Sequence, residues 1–101
     1  MLMTAYKLLR QRKNGTLGPL FINRKQVIPV GEWLQAEDHP TKGFAHRPGW
    51  HCAPTQYAPH LVTKGRVWCE VVIADHADIP RPLSQGGKWY LANKMMVVKV
   101  L

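Results

Sequence analysis

The sequence predicts a small, mainly antiparallel α+β domain: a β-sheet opened by an N-terminal β-hairpin, with one or two short helices and one long loop rich in proline, glycine and histidine. Three observations lead there. Arg66 to Ala74 is a β-compatible run largely apolar on both faces, and in Met95 to Leu101 Met96, Val98 and Val100 alternate with Lys99, as strands do. Asn14-Gly15, a strong tight-turn dipeptide, separates two β-compatible runs. Between His39 and Pro59 every regular pattern is interrupted, by Pro40, Gly43, Pro48, Gly49, Pro54 and Pro59. With 101 residues the chain has room for a single domain, 1–101.

The elements follow in order. Ala5 to Gln11 reads as a strand, and Asn14 and Gly15 accept the positive φ angles of a type I′ turn. Leu17 to Ile22 returns as the second strand, with Pro19 pointing to an edge. Val27 to Val30 is a short strand after the polar turn Asn23 to Gln26. Gly31 to Asp38 fits a turn or two of helix or a strand, since eight residues are too few for periodicity to decide. Thr55 to Val62 is the place for a short helix. In Arg66 to Ala74, Val67, Cys69, Val71 and Ile73 mark one face and Trp68, Glu70, Val72 and Ala74 the other. Both faces are largely apolar, so this strand is expected at the centre of the sheet. Ile79 to Leu83 is broken by proline, Ser84 to Gly87 is a loop, and Trp89 to Leu91 and Met95 to Leu101 close the sheet.

Charge is the most informative part of the composition. Fourteen Lys and Arg face six Asp and Glu, a net charge of +8. Residues 1–31 hold Lys7, Arg10, Arg12, Lys13, Arg24 and Lys25 and no acid; the remainder holds eight basic and six acidic side chains. A segregated positive field attracts polyanions or an acidic protein face, whereas solubility alone requires no segregation. Those six cations are the candidate contacts for nucleic acid or a protein partner. An apolar fraction of 46% and four tryptophans argue against disorder. No apolar run reaches the ~20 residues of a membrane span. From Met1 to Lys13 the apolar residues precede the basic ones, the reverse of a secretory signal, so a cytoplasmic protein is expected. Cys52 and Cys69 fit reduced, buried thiols better than a disulfide scaffold.

The segment Gly43 to Pro54 gathers His46, Arg47, Trp50 and His51, groups that hold phosphate or stack on a ring. It is a candidate pocket. The rival reading makes Trp50 and Phe44 core plugs, and buried loop aromatics are common enough to favour it. His39, His46, His51, Cys52, His60 and Cys69 offer metal-ligating atoms, but His46-x4-His51 has no Cys-x2-Cys partner, so no metal is expected. Neither cysteine sits in a nucleophile signature, and no phosphate-binding glycine motif is present; no catalytic residue and no cofactor are assigned.

Three stretches, Gly15-Thr-Leu-Gly-Pro-Leu-Phe-Ile-Asn23, Gly43-Phe through His-Arg-Pro-Gly-Trp-His-Cys52, and Ser84-Gln-Gly-Gly-Lys-Trp89, together resemble small uncharacterised phage and prophage proteins of Gram-positive bacteria. That resemblance implies an accessory protein of a virus or mobile element, anti-defence action included. Gly49-Trp-His-Cys52 and Arg66-Val-Trp-Cys-Glu-Val71 also resemble fragments of ADP-ribosyltransferase-like domains, although their His–Tyr–Glu set has no clear counterpart here. The first expectation is a non-enzymatic protein docking on nucleic acid or a nucleoprotein complex through the basic hairpin. The alternatives are an inhibitor of a host protein with an acidic surface, and a nucleotide-binding domain or enzyme of the ADP-ribosyltransferase type.

Overall fold

The computed structural model describes residues 2–20, 25–36 and 49–101. Its elements are β1 (Met3–Gln11), β2 (Leu17–Gly18), β3 (Trp33–Gln35), β4 (Trp50–Cys52), β5 (Arg66–Pro80), a 3-10 turn at Leu83–Gln85 and β6 (Lys88–Val100). One sheet contains all six strands in the order β2-β1-β5-β6-β3, with β4 also on β6. Every strand pair is antiparallel. The sheet curls into a half-barrel, and β4 helps to hold it curled. Beside the Trp50–Cys52 pairing with β6, Ala53 and Tyr6 exchange both backbone hydrogen bonds, at 2.7 and 2.9 Å, on the edge of β1 that faces away from β5.

The domain is therefore all-β among its described residues, and the α+β expectation is corrected. Within Gly31 to Asp38, Trp33–Gln35 pairs with Lys94–Met96, because the free edge of β6 satisfies its backbone where an isolated helical turn would leave most donors open. Thr55 to Val62 makes separate turns, Tyr57 N to Thr55 O and Leu61 N to Ala58 O, and Pro59 has no N–H to continue a helix. Proline and glycine do not exclude a strand from the His39–Pro59 segment, since Trp50–Cys52 is β4; residues 39–48 lie outside the described residues. The two closing strands are one, Lys88–Val100, hydrogen-bonded to β5 nearly throughout.

The hairpin forms at Asn14-Gly15 with different geometry from that expected. Only Gly15 has a positive φ, +86°. Gly15 N bonds to Arg12 O and Arg12 N to Thr16 O, so the loop spans three residues, a turn followed by a left-handed glycine. Asn14 Oδ1 accepts from Thr16 N at 3.1 Å and from Thr16 Oγ1 at 2.7 Å, a local bond that fixes the turn.

β5 is central, flanked by β1 and β6, and Cys69, Val71 and Ile73 are each fully buried. With Ala5, Leu9, Ile28, Met95 and Val97 they form the core on the concave side. Two irregularities adjust which residues reach it. Val71 pairs with Val97 but Glu70 with Lys99, which leaves Val98 as a bulge, exposed. Asp75 adopts φ +52°. Beyond it the inward alternation moves by one residue, so that His76 meets core-lining Tyr90 edge to face, 5.3 Å between rings.

Candidate nucleic-acid interface

β1 carries the first two candidate cations, and the pleat sends them to opposite sides. Arg10 lies with Leu8 on the convex side. Its register partner on β5 is Arg66, and Leu8 is likewise opposite Trp68. Side chains directly opposite in an antiparallel pair lie about 5 Å apart, and like charges there repel. Arg10 Nε is buried and has no hydrogen-bond partner. Arg66 is held from the other side by Val62 O, at 2.9 Å from its Nη1. The register thus sets two arginines across from each other at the hairpin end of the sheet, on the same face as half-buried Trp68.

Arg12 has a different task. Its guanidinium donates to Leu17 O at 3.0 Å and to Gln26 O at 2.8 Å, tying the hairpin to the following segment. Gly18 makes room for it: a Cβ there would lie 2.7 Å from Arg12 Cζ. Arg12 is thus a positioning residue, and it draws exposed Lys25 towards exposed Lys13 at the tip. Gln11 N bonds to Gly65 O, which brings exposed Lys64 alongside the same end. Lys64 and Arg66 were not among the expected contacts; only the pairing of β5 with β1 places them there. Arg24 lies outside the described residues.

Lys7 leaves the interface altogether. It shares the concave face with Ala5 and Leu9, both fully buried, so the pleat carries it inward. Its Nζ donates to the backbone oxygen of His51 at 2.6 Å and lies 5.9 Å from the centre of the Trp50 ring. Burial lowers its pKa, opposed in part by the nearby Cys52 sulfur. That thiol, also buried, is pushed up to about 11 and remains protonated at neutral pH.

Of the candidate pocket, His46 and Arg47 lie outside the described residues. Trp50 belongs to the core, 9% exposed, with Nε1 donating to Leu34 O at 3.2 Å. His51, half-buried, alternates to the opposite side of β4 from Trp50. Trp50 therefore serves as a core side chain, and its ring covers Lys7. Both cysteines are free and buried, and no group of three or more His, Cys, Asp or Glu able to hold a metal occurs among the described residues. At the far end of the β5–β6 ribbon, Asp78 pairs with Lys88 at 3.3 Å; both are well exposed, as in an ordinary solvated rim. Among the described residues no helix is long and apolar enough to cross a membrane. Comparison with protein-family models, curated proteins and solved structures found no match to this chain.

Proposed function

We propose that this is a non-enzymatic accessory protein of a phage or prophage that docks on nucleic acid, free or in a nucleoprotein complex, in the host cytoplasm. The contact is the hairpin end of the curled sheet, formed by Arg10, Arg66, Lys13, Lys25 and Lys64. The observation that carries this reading is the register pair Arg10–Arg66. Two arginines at facing positions of neighbouring strands, one with a buried Nε that has no hydrogen-bond partner, suit a polyanion that approaches this face. Phosphates occur in series along a nucleic acid, and the three lysines around the pair extend the contact in the same way. Trp68, beside the pair on the same face, offers a ring to an unstacked base.

The test is fluorescence anisotropy with labelled single-stranded and duplex oligonucleotides over a salt series. Wild-type affinity should fall steeply with salt, because counterions are released from each neutralised phosphate. Arg10→Ala with Arg66→Ala should weaken binding by about tenfold or more, the equivalent of one charged hydrogen bond of about 1.5 kcal/mol. Unchanged affinity at low salt in a variant that melts like the wild type removes the pair from the interface. No binding by the wild type to either oligonucleotide overturns the nucleic-acid reading and leaves an acidic protein surface as the partner to seek.

A further inference from the structure

The convex face continues past the arginine pair, across β5 and β6 to the edge strand β3. Beyond Arg10–Arg66 and Leu8–Trp68, Tyr6 of β1 faces Glu70 of β5, and Glu70 faces Lys99 of β6. At the next position on the same face, Val72 of β5 faces Met96 of β6, and Met96 faces Trp33 of β3. Trp33 therefore shares the face of Trp68. Its chain neighbour Leu34 points the other way, packed on the core opposite fully buried Met95. Trp68 and Tyr6 are half-buried, and Trp33 is 45% exposed although it lies in a strand.

Cations accompany the rings along the whole course. The arginine pair stands at one end, exposed Lys99 in the middle, and exposed Lys94, opposite Gln35, just beyond Trp33. Glu70 is the one acid among these paired positions, and Lys99 stands across from it. From Trp68 to Trp33 is four residues along β5 and two strand spacings across, about 17 Å measured along the sheet.

We propose, on the nucleic-acid reading above, that the partner is a single strand, its bases stacked on Trp68 and Trp33 and its phosphates passing from the arginine pair to Lys99 and Lys94. Exposed rings gain little from phosphate, whereas every base has a π-face to stack on them. In a duplex those faces are covered by neighbouring base pairs, and only edges and phosphates reach a protein surface. Shape selects in the same direction. The face is convex and a duplex is a stiff rod, so the two touch along a narrow strip, while a flexible strand follows the curve. An apolar protein partner suits a patch whose centre is depleted of charge, and here cations recur from end to end.

The test is fluorescence anisotropy with the wild-type chain and three labelled oligonucleotides of about 15 nucleotides: a thymidine strand, an abasic strand with the same number of phosphates, and a duplex. At equal salt the thymidine strand should bind about tenfold or more tighter than the abasic strand, and tighter than the duplex. Trp33→Ala should lose about tenfold on the thymidine strand and nothing on the abasic one. Its salt slope should not change, because a stacked base releases no counterion. Trp33→Phe, which keeps a ring, should retain most of the affinity. Equal binding of thymidine and abasic strands overturns the proposal and leaves the phosphate contact at the arginine pair standing; so does a preference for the duplex. Undiminished affinity of Trp33→Ala for the thymidine strand overturns it too. Failure of the wild type to bind any of the three removes the nucleic-acid reading itself, and this proposal with it.

Discussion

The two sides of β1 handle the same problem in opposite ways. On the convex side Arg10 faces Arg66; on the concave side Lys7 faces Trp50 and Cys52. Arg10 Nε has no hydrogen-bond partner, and Lys7 Nζ donates to a backbone carbonyl. Outside, the guanidinium groups cannot lose a proton in the ordinary pH range and keep their charge. Inside, burial lowers the pKa of the amine, while the His51 carbonyl and the Trp50 ring face it. Arginine outside and lysine inside thus separate a charge that persists at every ordinary pH from one whose pKa burial lowers.

The contrast depends on a rigid sheet, and the largest expected effect is its loss. Val71→Asp puts a charge with no partner on the central strand at a fully buried position; several kcal/mol is enough to unfold a domain of this size. A cooperative melting transition retained by that variant would mean that the concave side is not the core. Trp50→Ala comes next, at about 3–5 kcal/mol, because it leaves a cavity over Lys7 and frees the Leu34 carbonyl. Its melting temperature should drop sharply while oligonucleotide affinity, measured where the variant is still folded, stays near that of the wild type. A large loss of affinity in the folded variant would join the two sides into one site.

Alkaline titration sharpens the interior half. Burial raises both Cys52 and Cys69 to about 11 from 9.0, so between those values the unfolded chain has released protons that the folded one retains. Stability then falls as pH rises through that window. Lys7 acts with the opposite sign. Its folded pKa is below 10.5, so the unfolded chain binds more protons between the two values and stability rises there with pH. The thiol contribution is a loss of melting temperature above pH 9, opposed by that of Lys7. Cys52→Ala with Cys69→Ala should remove that loss and leave the gain from Lys7. A double variant that still loses stability over the same range would place the cause outside these groups.

Gly18→Ala probes the outer half with a smaller effect. The new methyl displaces the Arg12 guanidinium, at a cost of about 1–3 kcal/mol, and loosens the tie that holds Lys25 near Lys13. Anisotropy should show weaker binding and calorimetry a modestly lower melting temperature. Smallest of all, Lys13→Ala with Lys25→Ala should stay within about 0.5 kcal/mol in stability, both being exposed. It should still flatten the salt dependence by about 2 in log–log slope on duplex DNA. An unaltered slope would confine the contact to the arginine pair.

Much of the sheet was legible in the sequence because the signals are local. The run Arg66 to Ala74, apolar on both faces, marks the central strand, and Asn14-Gly15 marks the hairpin, although the type I′ geometry was wrong: the Asn14 side chain bonds to Thr16 and only Gly15 turns left-handed. The helices failed for a non-local reason. Trp33–Gln35 is a strand because β6 offers it an edge, and no window of eight residues contains β6. Half of the arginine pair was equally hidden, since Arg66 is 56 positions from Arg10 in the chain and reaches it only through pairing.

Composition, periodicity and turn chemistry determined by themselves that the chain is rich in strands, that β5 is apolar on both faces and that cations crowd the first third. Which cations meet solvent was decided by tertiary structure alone. The two faces of β1 are nearly equivalent as sequence: Ala5, Lys7 and Leu9 on one, Tyr6, Leu8 and Arg10 on the other, each with two apolar-bodied side chains and one cation. A period of two assigns residues to faces but says nothing of which face is inside. That was set by the curl of the sheet and by β4, where the bridge of the next residue, Ala53, to Tyr6 brings Trp50 and Cys52 over Lys7 and leaves Arg10 outside with Arg66.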